Sequence, residues 1–181
     1  MTKNIYIIRH CEATGQSPDS PLTEKGFIQA NELSDFLSDL KTDKIISSPF
    51  LRAIQTIEPF AKKKDIEIEQ DSRLSERVLS SVFFPDWMDK LEATFLDWDL
   101  KYEGGESSNE AMNRIVEVVN DVVASHAENT MIVAHGGIIS ILLNHYDKNY
   151  GFEEWKRLSN PDVYLLEFLQ NSRHIKRLWQ D

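Results

Sequence analysis

Three short apolar runs, "IYII" at 5–8, "DKIISS" at 43–48 and "TMIVA" at 130–134, each give way to a stretch whose apolar residues recur every three or four positions. Alternating strand and amphipathic-helix patterns restrict the fold more than any other feature here. Parallel strands need crossover helices, and the helices must cover the sheet they cross. The chain is therefore predicted to be α/β: three layers, α/β/α, around a mostly parallel central sheet. At 181 residues it fits one domain, taken as 1–181, with enough length to bury a real core.

Thr23 can cap a helix over 24–40, with Phe27, Ala30, Leu33, Leu37 and Leu40 on its apolar face. After "DKIISS", Ser48 and Pro49 suit a cap and first turn for a helix bearing Ala53, Ile57, Phe60 and Ala61, with Arg52 in its first turn. "IEIE" at 66–69 alternates as a strand does. Residues 75–105 keep no clear period and hold Pro85, Trp87 and Trp98, so they are predicted to be an irregular excursion with short helices. Ser107 and Glu110 have capping-box spacing before Met112, Ile115, Val116, Val119, Val122 and Val123, a strong amphipathic helix. "TMIVA" is a buried strand, His135-Gly136-Gly137 turns it into a helix through about Asn144, and "DVYLLEF" and "HIKRLW" can pair as strands.

Thirty acidic against twenty basic side chains give a formal charge of -10, which argues against nucleic-acid and anionic-membrane partners. A phosphorylated ligand would need a local basic pocket. The single cysteine, Cys11, leaves no internal disulfide and no multi-cysteine zinc site. The first apolar run meets Arg9 too soon for a signal-peptide core or a membrane span, so a cytoplasmic setting is expected.

In open α/β sheets the ligand crevice lies beyond the carboxyl ends of the strands. Arg9 and His10 leave the first strand, Arg52 follows the second, and His135 leaves "TMIVA". A lone histidine after a strand is ordinarily a hydrogen-bonded turn residue and a lone arginine is ordinarily surface. Four such residues at three strand ends are harder to assign that way. Guanidinium forks match phosphate oxygens, and the helix starting near Ser48 would add backbone N–H groups. Nearby arginines also disfavour protonating His10, leaving a neutral imidazole with a nucleophilic lone pair. Phosphoryl transfer asks mainly for alignment and charge neutralisation, which Arg9, Arg52 and His135 would supply without metal or cofactor.

"RHCEA", "DSPLTEKGFIQA", "SSPFLRAIQT", "LSER" and "AHGG", in that order across nearly the whole chain, resemble the histidine phosphatase superfamily, the phosphoglycerate mutase-like group. The resemblance implies a small-molecule phosphatase of the small bacterial type: His10 becomes phosphorylated, Arg9, Arg52 and His135 complete the phosphate pocket, and Glu76 is the general acid and then the base that activates water. The residues alone leave Glu12, Glu103 and Glu106 as rivals to Glu76. Cys11 stands where the family usually has glycine, which implies altered packing rather than lost activity. Gln16 stands near the family's usual Thr or Ser and Asn and can offer an amide to the phosphate.

"RVLSSVFFPDWMD" after Glu76 lacks the longer pattern of a phosphoglycerate mutase, which favours hydrolysis over mutase chemistry. A mutase and a non-catalytic phosphate-binding module stand as alternatives. Phe83, Phe84 and Trp87 are expected to make part of the crevice apolar, and Asn160 is expected to be structural. Other chemistries fail: position 17 is serine where a cysteine phosphatase needs arginine, "HCE" has no downstream cysteine pair, "DWDLK" follows no buried strand, and neither GxxxxGK[ST] nor GxGxxG occurs. His126, His145 and His174 are read as structural. The substrate and the oligomeric state are not written in these motifs.

Overall fold

The computed structural model describes residues 2–179. Among the described residues, six strands and six α-helices follow one another as β1 (Lys3–Arg9), α1 (Glu24–Leu37), β2 (Lys44–Ser47), α2 (Leu51–Lys64), β3 (Ile68–Gln70), α3 (Trp87–Leu96), α4 (Ser108–Ala124), β4 (Asn129–Ala134), α5 (Gly136–Tyr146), α6 (Phe152–Lys156), β5 (Asp162–Phe168) and β6 (Arg173–Arg177), with a short 3-10 helix at Ser72–Leu74. They form one sheet in the order β3-β2-β4-β1-β5-β6. The four strands on the β3 side are parallel, while β5 runs antiparallel to β1 and pairs with β6 as a hairpin. β5 runs antiparallel to β1 although α5 and α6 precede it, so a helical connection does not by itself make the next strand parallel.

Alternation along β1 builds the two cores. Ile5 and Ile7 face one side with Ile132 of β4, under Ile115, Val119 and Val122 of α4 and most of α5. Tyr6 and Ile8 face the other with Met131 and Val133, under Ala30, Leu33 and Leu37 of α1 and Ala53, Ile57 and Phe60 of α2. Because side chains change face at every residue, each central strand is apolar on both sides.

Several elements differ from expectation at their ends. α1 stops at Leu37 because Ser38 turns its N–H and hydroxyl onto the Asp35 carbonyl; Leu40 still packs on the core, but Phe27 is 45% exposed. α2 begins at Leu51 with no side-chain cap, so Ser48 and Pro49 precede the helix rather than start it. It continues through Pro59, held by its buried face of Ala53, Ile57, Phe60 and Ala61. The Ser107–Glu110 capping box forms in both directions, the Ser107 hydroxyl accepting from the Glu110 N–H and the Glu110 carboxylate from the Ser107 N–H. α6 has no counterpart in the sequence reading. No helix among the described residues is long and apolar enough to cross a membrane.

Candidate active site

Parallel register brings the chemistry together. Arg9 lies opposite Ala134 across β1 and β4, and Ser47 lies opposite Val133 across β2 and β4, so the three chains leave the sheet level with one another. The His10 N–H donates to the Ala134 carbonyl (3.2 Å) and the Ser48 N–H to the Val133 carbonyl (2.9 Å), extending both ladders by one rung. Residues 10, 48 and 135, remote in sequence, therefore meet at one end of the sheet. β5 starts at the same end, and Asn160 just before it donates to the His10 carbonyl at 2.8 Å, the structural part expected of it.

His10 Nδ1 lies 2.6 Å from the Cys11 carbonyl oxygen, which can only accept, so Nδ1 carries the proton and Nε2 the lone pair. Arg52 Nε donates to that lone pair at 3.2 Å, and Arg52 Nη1 donates to the carbonyls of Gln16 and Ser17 at 3.2 and 2.8 Å. The rings of His10 and His135 are 5.2 Å apart at 61°, and Phe50 packs edge-on against His135 at 4.9 Å. His135 Nε2 and Ser48 Oγ are 2.8 Å apart. Burial holds both imidazoles neutral: it lowers the His10 pKa to about 3, helped by the Arg52 and Arg9 charges, and that of His135 to about 2, helped by His10, Arg52 and Arg9.

The start of α5 gathers the rest. Arg9 Nη1 donates to the carbonyls of Leu158 and Ser159 (3.0 and 3.3 Å), and its guanidinium passes Gly136 so closely that a Cβ there would lie 3.0 Å from Nε. Glu76 accepts the N–H groups of Gly137 (3.0 Å), Ile138 (2.9 Å) and Arg77 (2.7 Å), a carboxylate seated on a helix N-terminus. A Cβ on Gly137 would come within 2.7 Å of that carboxylate. Among the described residues, four buried side-chain polar atoms lack a hydrogen-bond partner, and three of them, Arg9 Nε, Arg77 Nε and His135 Nδ1, belong to these residues. Orphaned polar atoms gathered at one place mark a site for a polar ligand.

A cleft of about 470 Å³ opens beside them, lined by the polar Arg9, Gln16, Glu76 and Arg77, by Gly136 and Gly137, and by the apolar Leu79, Phe83, Trp87, Leu91 and Trp155. The sequence reading placed Phe83 and Trp87 here and also Phe84, but Phe84 packs instead against Tyr102, 5.6 Å between rings. Trp155 was missed. Ser48 was assigned to a helix cap, whereas its hydroxyl meets His135. The start of α2 offers the pocket less than expected, because the N–H groups of Phe50 and Leu51 are taken by Ser48 Oγ (3.2 Å) and the Pro18 carbonyl (2.9 Å). Of the rivals to Glu76, Glu12 accepts from Thr23 and pairs with Lys25, and Glu106 is gripped by Arg114. Cys11 is fully buried, its N–H donates to Thr56 Oγ1 (2.8 Å), and burial pushes its thiol up to about 12.

Residues 5–181 match the histidine phosphatase superfamily (branch 1), and the chain belongs to that family. A Hydrogenobacter thermophilus protein provisionally named phosphoserine phosphatase 2 is 31% identical over 156 residues, 78% of this chain and 77% of its own. A protein of Salmonella paratyphi C provisionally named phosphoglycerate mutase GpmB is 27% identical over 197 residues, covering 97% of this chain and 89% of that one. Mycobacterial glucosyl-3-phosphoglycerate phosphatase shares the fold, with a TM-score of 0.79 at 22% identity over 98% of this chain and 97% of its own.

Proposed function

We propose that this protein is a metal-independent phosphomonoester hydrolase that passes the phosphoryl group through His10. The observation that carries the reading is the state of His10 itself: neutral by burial, its proton tied to the Cys11 carbonyl, and its Nε2 lone pair turned toward the Arg52 guanidinium, 3.2 Å away. A phosphate bound by Arg52 and Arg9 would lie against that lone pair.

The first step forms an N–P bond from Nε2 as the ester P–O bond breaks, with Arg9 and Arg52 offsetting the charge on the equatorial oxygens. Ser48 Oγ accepts the Phe50 N–H and shares a hydrogen bond with His135 Nε2; with the hydroxyl as its donor, the proton of neutral His135 sits on Nδ1 as a further donor to the phosphate. Glu76, entering the step with a proton brought by the phosphate monoester monoanion, gives it to the departing alkoxide. In the second step the Glu76 carboxylate takes a proton from water, the resulting hydroxide attacks phosphorus, and the N–P bond breaks to restore neutral His10 and release inorganic phosphate. Gln16 presents its amide at the mouth, where it lines the cleft. A small phosphorylated substrate and a cytoplasmic setting go with this reading; a buried, unreactive Cys11 suits both.

Turnover of a panel of phosphate esters, measured with EDTA present, is the test. Released phosphate that disappears in His10→Ala, with kcat down about 10³-fold or more, supports the proposal. Activity abolished by EDTA contradicts the metal-free route. Interconversion of phosphoglycerates without phosphate release would establish the mutase instead, and vanadate binding without any turnover would establish a binding module.

A further inference from the structure

The far wall of the cleft is aromatic and braced. Trp87 of α3 meets Trp155 of α6 edge-on with ring centroids 6.5 Å apart, Trp155 stacks on Phe152 at 5.4 Å and 16°, and Phe152 packs against Phe95 of α3 at 5.9 Å. These contacts join two helices distant in sequence and fix the Trp155 ring as one side of the opening. Phe83 of the excursion lines the same cleft and is 81% exposed, and Trp87 is 42% exposed, large apolar areas left in water beside the reacting centre.

The cations on these elements are already engaged. Lys90 lies over the rings of Phe84 (4.7 Å) and Tyr102 (5.2 Å) and pairs with Asp86 at 3.6 Å. Lys156 pairs with Glu153 at 2.7 Å and lies over Phe152. Arg77, at the cleft wall, spends Nη1 on Thr94 and Ser108 (both 3.1 Å) and Nη2 on the Glu106 carbonyl (3.2 Å), while Glu76 and Glu106 lie near enough to balance its charge. Its remaining donors are the buried Nε–H and one N–H of Nη2, two of the five that a guanidinium carries. Beyond these residues the lining is apolar, Leu79, Phe83, Trp87, Leu91 and Trp155, and offers a leaving group area to bury rather than charge to pair.

We propose that the substrate is a monoester whose alcohol carries an apolar planar body, an aromatic ring or its like, with the ring seated between Trp155, Trp87 and Phe83. The inference rests on the hydrolase reading above. Such a leaving group differs from those of phosphoserine and phosphoglycerate, which are small and polar.

The test compares kcat/KM for ethyl phosphate, 2-phenylethyl phosphate and phosphoserine, all esters of primary alcohols, so that differences in leaving-group acidity are small and the ring or the charged groups dominate. The phenylethyl ester is expected to exceed the ethyl ester by about 30- to 100-fold and to exceed phosphoserine as well. The phenylethyl-to-ethyl ratio is expected to fall about tenfold or more in Trp155→Ala, and to fall also in Phe83→Ala, an exposed position whose truncation leaves the fold intact. Equal rates for the phenylethyl and ethyl esters, a preference for phosphoserine, or an unchanged ratio in both variants would overturn the inference while leaving the hydrolase intact. Turnover of none of the three above the His10→Ala background would remove the hydrolase reading, and the inference with it.

Discussion

His10 and His135 are held neutral by the same burial that makes them useful, and the cost appears in stability. An unfolded chain protonates each imidazole near pH 6.5, whereas the folded chain resists until about 3 at His10 and about 2 at His135. Between those values the unfolded state binds more protons, so stability falls as pH drops below about 6.5 and goes on falling toward about 3, by up to about 1.4 kcal/mol per pH unit for each group. Urea midpoints measured at pH 7, 6 and 5 should decline, and His10→Gln should decline less steeply; equal midpoints at pH 7 and 5 would contradict the burial argument. Gly137 supplies a second test at this scale. Its missing Cβ leaves the space in which Glu76 reaches the start of α5. Gly137→Ala should displace the carboxylate and lower kcat about 10²-fold with the thermal midpoint little changed, and wild-type kcat in that variant would show that Glu76 need not sit there. Both histidines and both arginines were legible in the sequence because strand ends announce them. Ser48 was not, since a serine before a proline reads equally well as a cap.

Elements were legible in proportion to their length and period. α4 repeats its apolar positions for four turns behind a Ser107–Glu110 box, and the box forms. Ser107→Ala, which removes the side-chain partner of the Glu110 N–H, should lower stability by about 1 kcal/mol, read as a lower urea midpoint at unchanged slope, with kcat unaffected. α6 is a five-residue helix, Phe152–Lys156, too short for any period to show. Its contribution, Trp155, could be found only through tertiary contacts with Trp87 and Phe152. The excursion is tied down in the same nonlocal way. Arg114 of α4 donates to the carbonyls of Arg73 and Ser75 at 2.6 and 2.8 Å and pairs with Glu106 at 2.6 Å, while Glu106 accepts the Val78 N–H at 3.1 Å. Glu76 and Arg77 are thereby held between two braced segments, which a reading limited to local pattern had no means to foresee.

At the scale of the whole molecule, function follows from register. Because β1, β2 and β4 are parallel and level, the residues one step beyond each strand become neighbours, and the crossover helices are what make parallel pairing possible. That much was predictable from alternating strand and helix patterns. The β5–β6 pair was legible as two strands able to pair, and their short connection allows only an antiparallel hairpin; the antiparallel entry of β5 beside β1 was not, since helices precede it as they precede the parallel strands. The central claim is that phosphorus is transferred to the imidazole at position 10, and the direct measurement is rapid quenching into alkali during turnover of a good ester, followed by mass-spectrometric location of the phosphoryl group. An acid-labile, alkali-stable phosphate on His10, absent from the His10→Ala protein, is the predicted result. Phosphate found on another residue, or full turnover with no phosphoenzyme at any quench time and inversion of configuration at phosphorus, would contradict it.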